Sequence, residues 1–180
     1  MPRWSVSEDH PLRDFFRSLV HGSLHVQMGL EDQDVEDYLA GLITEYVHLN
    51  ATTFEVDGEP IEELVVLAEH GDIRQKAPNF QREREVHKLI GDFLMFWGGV
   101  FPEQLNLLKK KGAPTGFVNP VAMGKASYHL VSTFDHGDYA TESMLYRKLS
   151  TRFETYLFAL HLVREAWESD RDEWSEGFRA

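Results

Sequence analysis

The sequence predicts an all-α fold, a single-domain helical bundle of five to seven helices over residues 1–180. Three observations lead there. Apolar residues recur at i, i+3, i+4 and i+7 through most of the chain, the period of a helix that buries one stripe. A β-branched stretch with a turn signal occurs only once, at residues 51–59. The 180 residues are 42% apolar and 12% aromatic, enough to build one core, and no linker long enough to separate two domains divides them.

Residues 1–10 and 170–180 are expected at the periphery, the latter as a polar tail. Residues 11–29 carry Leu12, Phe15, Phe16, Leu19, Val20 and Ser23 on one helical stripe, with Pro11 suited to the first turn and Gly29 to the stop. Residues 32–50 repeat the pattern with Val35, Tyr38, Leu39, Leu42, Ile43, Tyr46 and Val47, and Asp32 or Asp34 can cap them. Residues 51–59, with the turn signal Asp57-Gly58, predict one or two very short strands. Pro60 then opens a helix through Glu69, ended near Gly71, and residues 72–80 form an irregular connector. Residues 81–100 give the strongest helix, with Val86, Leu89, Ile90, Phe93, Leu94 and Trp97 as its stripe and Gly98-Gly99 at its end. A short helix is expected over 102–111, a loop over 112–116, and a widely apolar, central helix over 118–133. A turn at 135–138 precedes one long helix over 142–167.

Charge and composition exclude several classes of function. Thirty acids against 18 bases give a net charge of −12, a field that repels nucleic-acid phosphates and anionic lipid. From Ser18 to Ile73 there is no Lys or Arg and there are 13 Asp and Glu, a solvated face or a docking face for a basic partner or cations. Lys109-Lys110-Lys111 ends a predicted helix, where cations favour the dipole, and is too small a patch for nucleic acid. No cysteine is present, so disulfides, thiolate metal sites and Cys nucleophiles are excluded. No apolar run approaches the roughly 18 residues of a membrane span, and no signal core opens the chain. A soluble, cytoplasmic protein with neither nucleic-acid nor membrane partners is expected.

The run Glu83-Arg84-Glu85-Val86-His87-Lys88-Leu89-Ile90-Gly91-Asp92-Phe93, continuing through Phe96-Trp97 to Phe101-Pro102-Glu103, resembles bacterial all-helical proteins of unknown function. The resemblance also covers the second helix and the long C-terminal one. It implies a helical fold and carries no activity, cofactor or substrate with it.

Four constellations could carry chemistry. His21 and His25 lie one helical turn apart, a spacing that suits metal chelation, but on the side opposite the apolar stripe. Glu45-Tyr46-Val47-His48 matches the Glu-x-x-His unit of di-iron bundles, which need a second such unit that this chain lacks. Glu154, His161 and Glu165 line up on the outward side of the last helix, beside Phe158. Glu83 and His87 are the best-placed pair, because they sit at the margin of an apolar stripe. A carboxylate one turn from an imidazole stabilises its charged form and can orient it as base or ligand; the plainer reading is a boundary ion pair. Met123-Gly124-Lys125-Ala126-Ser127 lacks the glycine and hydroxyl pattern of a phosphate loop.

Strong amphipathic helices without a complete catalytic set favour a non-enzymatic binding or self-associating scaffold protein. Met144 and Phe158, apolar residues off the main stripes, suggest a homodimer or a protein partner. The alternative is a His/carboxylate enzyme or sensor, with or without a metal, with His87 and Glu83 as its catalytic residues. For that, groups from several helices must converge in one pocket, with Glu154, His161, Tyr128 or Asp92 beside His87. The residues single out no cofactor and no metal.

Overall fold

The side chains that precede the helices set where they begin. In the computed structural model, which describes residues 4–49, 54–56, 59–61, 64–105 and 119–177, His10 stands before α1 (Pro11–His21) and its Nδ1 accepts the Leu12 N–H at 3.2 Å. Asp32 does the same for α2 (Gln33–Leu49), accepting the Val35 N–H at 3.4 Å. Strands β1 (Phe54–Val56) and β2 (Glu59–Ile61) pair antiparallel, with Phe54 opposite Ile61, and α3 (Leu64–His70) follows. Asn79 caps α4 (Phe80–Gly99) by accepting the Arg82 N–H at 2.9 Å, and Asn119 caps α5 (Pro120–Ser132) by accepting the Val121 N–H at 3.0 Å. Pro11 and Pro120 each occupy a first turn, where the missing N–H costs nothing. After a 3₁₀ turn at Gly137–Tyr139 come α6 (Ala140–Thr151) and α7 (Phe153–Gly177).

The fold is all-α, with the small hairpin as the one addition among the described residues. Seven α-helices are described, and a π turn, a 3₁₀ turn and a helical turn at 102–105 bring the described helical elements slightly past the five to seven expected. Helix α4 is the hub: it packs along α5 and α7, and also meets α2 and α3. Its Val86, Ile90, Phe93, Leu94 and Phe96 are buried, against Leu39, Leu42 and Ile43 of α2, Tyr128 of α5, Tyr146 of α6 and Leu160 of α7 in one apolar cluster. Burying each of these large side chains contributes on the order of 1.5–3 kcal/mol before chain entropy is counted. The α4–α5 crossing depends on Gly91: a Cβ there would fall 2.6 Å from the Tyr128 ring.

Four expectations about the helices are corrected. Pro60 does not start a helix. It lies in β2 opposite Glu55 of a two-stranded sheet, where both strands are edges and the absent N–H is tolerated. The first helix is not regular to Gly29: at Gly22–Gln27 it opens into a π turn, and the chain leaves it through Gly29 at φ +66°. The long helix of 142–167 is two helices. Arg152, at φ −112° and ψ 31°, interrupts it between Thr151 and Phe153. Leu149, Phe153 and Tyr156 keep helical spacing across the break and all three are buried, so the pattern reads straight through it. The tail after residue 170 is helical through Gly177. Residues 4–10, expected at the periphery, hold two packed side chains. Trp4 stacks edge-on to Tyr38 at 5.3 Å, and Val6 is buried. The lysine run 109–111 and the loop expected over 112–116 lie outside the described residues.

Candidate functional site

The bend between α3 and α4 is built around Asp72. Its carboxylate accepts the Arg74 backbone N–H at 2.8 Å, the Arg74 side chain through Nε and Nη2 at 3.1 and 3.2 Å, and Gln75 Nε2 at 3.1 Å. The hydrogen bonds from Arg74, side chain first, hold the Asp72 carboxyl down at about 2. Nearby, Lys76 Nζ reaches Glu69 at 2.8 Å. Gly71 lets this bend approach α4, since a Cβ there would fall 2.8 Å from Val86 Cγ1.

Against this bend the first half of α4 opens a cleft of about 570 Å³. Its polar walls are Glu69, Asp72, Arg74, Gln75, Glu83 and His87, and Ala68 and Leu130 supply apolar surface. The volume lies in the range of small-molecule sites. His87 is half-buried, and its Nδ1 stands 3.2 Å from the buried Ser127 hydroxyl of α5. Burial pushes its pKa below the ordinary 6.5; the Glu83 and Asp72 carboxylates oppose that shift without reversing it. The imidazole is therefore neutral at pH 7, with Nε2 left for a ligand. Asp72 and Glu69 are tied to cations, whereas the Glu83 carboxylate has no hydrogen bond or ion pair among the described residues. The cleft thus holds an unpaired carboxylate and a neutral imidazole one helical turn apart.

The wider convergence set out from sequence does not form. His87 meets Ser127, not Glu154, His161, Tyr128 or Asp92. Glu154 pairs with Lys125 at 2.9 Å and His161 lies 3.6 Å from Glu165, both on the outer side of α7. Glu45 is engaged with the N-terminal segment, accepting the Ser5 and Val6 N–H groups at 2.9 and 3.1 Å, and the exposed His48 packs edge-on to His10. His21 and His25 stack on each other at 4.9 Å. Among the described residues no group of three or more His, Asp or Glu side chains is placed to hold a metal ion.

Sequence reasoning missed a second polar centre, inside the bundle. The Asp92 carboxylate of α4 is buried and accepts the hydroxyls of Tyr38 (α2) and Tyr128 (α5, 2.8 Å). Lys88, one turn back on α4, places its ammonium 2.5 Å from the other Asp92 oxygen, over the Trp4 and Tyr38 rings. Burial is the largest influence on Lys88 and opposes its charge, but Asp92, Tyr146 and Glu142 together outweigh it and the pKa rises. Burial also raises Tyr38 and Tyr128 well above 10, with the Asp92 charge adding to it. Beside this centre, buried Arg84 binds Glu142 at 2.7 Å and lies 4.0 Å over the Tyr139 ring. The sequence did contain a signal: Asp92 interrupts the apolar run Leu89, Ile90, Phe93, Leu94, and a charge inside such a run must have partners. With Asp92 partnered in this way, the centre joins α2, α4 and α5, while Arg84 Nε and the Tyr146 hydroxyl beside it are buried without a hydrogen-bond partner.

No helix among the described residues is long and apolar enough to cross a membrane. No family model, curated protein or solved structure matches the chain.

Proposed function

We propose that this is a non-enzymatic helical binding protein, and that the cleft between the Asp72 bend and α4 takes a small polar ligand. The observation that carries this reading is the unpaired Glu83 carboxylate beside the neutral His87 imidazole in a cleft of about 570 Å³. Small polar molecules screened by thermal shift test it. A ligand at 100 times its Kd stabilises by about 2.7 kcal/mol. A ligand that raises the Tm of the native chain is expected to lose its effect in Glu83→Gln and His87→Gln, with their folds intact. Ligands that act equally on both variants, or none that act at all, would reject the cleft.

Self-association belongs to the same reading. Met144 and Phe158 are 67% and 54% exposed, large apolar side chains that a second copy could cover. Light scattering after size exclusion is expected to give a homodimer that Phe158→Glu dissociates; a monomer at tens of micromolar, unchanged by the substitution, rejects it. A net charge of −12 supports partners other than nucleic acid, and the lack of cysteine suits the reducing cytoplasm, where we place the protein.

The second reading is acid–base chemistry at His87 with Glu83. It is favoured by the Ser127 hydroxyl, which fixes the ring through Nδ1. A reaction lost in His87→Gln, with a pH profile following the His87 titration, distinguishes it from binding alone.

A further inference from the structure

The π turn that ends α1 gives the His21–His25 pair a setting that its sequence spacing does not. His21 closes α1 and His25 lies in the turn, with ring planes within 14° of parallel and centroids 4.9 Å apart. His21 Nδ1 is hydrogen-bonded at 3.0 Å to Oε2 of Glu36, a buried residue of α2, and the exposed Glu31 places Oε1 3.5 Å from His25 Nδ1 without a hydrogen bond. A carboxylate only accepts, so Glu36 favours the His21 tautomer with its proton on Nδ1 and its lone pair on Nε2. Neither Nε2 has a partner among the described residues, and both side chains reach solvent. A carboxylate behind a ligating imidazole is how proteins fix the tautomer and raise the basicity of metal-binding histidines.

We propose that His21 and His25 chelate one borderline divalent transition metal ion through their Nε2 atoms, with Glu36 holding His21 from behind and water completing the coordination. Two nitrogens on one tetrahedral zinc lie about 3.4 Å apart, and the ring centroids, 4.9 Å apart, bring the two imidazoles together on one face. Imidazole nitrogens select zinc, nickel or copper over magnesium or calcium. The absence of Lys and Arg between Ser18 and Ile73, against 13 acids, adds an attractive field for any cation. The pair is separate from the His87 cleft, so either reading can fail without the other.

Calorimetric titration of the tag-free full chain with zinc chloride, in a buffer that does not bind metal, tests the site. One saturable zinc per chain is expected, with no comparable response to magnesium. His21→Gln and His25→Gln are each expected to weaken binding at least about tenfold, and Glu36→Gln about tenfold through the outer layer. NMR of the native chain, in which zinc shifts the Nε2 resonances of His21 and His25 and no other histidine, reads the site without any substitution. No saturable binding at about 1 mM zinc, equal binding of magnesium, wild-type affinity in any of the three variants, or zinc shifts at other histidines overturns the chelate.

Discussion

Asp92→Asn is the most informative single change in the core. Asparagine keeps the shape and an oxygen that can accept the Tyr38 and Tyr128 hydroxyls. It replaces the oxygen facing Lys88 with an amide donor, so two donors oppose each other where a 2.5 Å ion pair stood. Removing one partner of a buried pair costs 3–5 kcal/mol, and because the Lys88 side chain is 23% exposed its ammonium can relax toward water, which places the cost near the low end, about 3 kcal/mol. With a urea m-value of about 2 kcal/mol/M, the unfolding midpoint falls by about 1.5 M. Lys88→Met is expected to cost about 2 kcal/mol, since Asp92 keeps both tyrosine donors, and the double variant less than the sum by about 1 kcal/mol or more. Urea unfolding followed by circular dichroism measures all three. An Asp92→Asn cost under about 0.5 kcal/mol, or strict additivity, would refute the view that this pair is a coupled, buried unit.

Three more predictions follow from the same geometry. Burial raises Tyr38, Tyr46 and Tyr128 well above 10 and Tyr146 to about 12, so these groups stay protonated in the fold while the unfolded chain ionises near 10. Their stabilisation is complete below pH 10 and is lost as pH rises, by up to about 1.4 kcal/mol per unit for each tyrosine; phenolate absorbance that tracks unfolding confirms this, and titration of all tyrosines near pH 10 in folded protein contradicts it. His87 has a lowered pKa, so the unfolded chain takes its proton first on acidification. Stability should drop as pH falls below about 6.5, down to the native pKa, and His87→Gln should flatten that part of a pH–stability curve; an unchanged curve in the variant counts against it. Gly91→Ala places a methyl 2.6 Å from the buried Tyr128 ring and should destabilise by about 1–3 kcal/mol despite alanine's better helix propensity; a stabilised variant in thermal unfolding would show that α4 and α5 are free to move apart.

Local pattern determined a good part of this molecule. The stripes of residues 11–29, 32–50 and 81–100, together with Pro11, Gly29 and Gly98-Gly99, carry the all-α architecture, because burial of one helical face is written directly into spacing. The margin position of Glu83 and His87 on α4 was legible for the same reason, and the cleft lies there. What spacing does not encode is what faces a residue from another element. The break at Arg152 is invisible because Leu149, Phe153 and Tyr156 keep the helical period across it, with no Pro or Gly to mark it. Helix wheels put His21 and His25 on the outward side, but only the π turn and the buried Glu36, 15 residues on, turn the Nδ1 of His21 to a carboxylate. Asp92 looked like a flaw in an apolar stripe until α2 and α5 brought Tyr38 and Tyr128 to it, across 54 and 36 residues of chain. A buried charge is stable only with its partners, and tertiary packing alone supplies them.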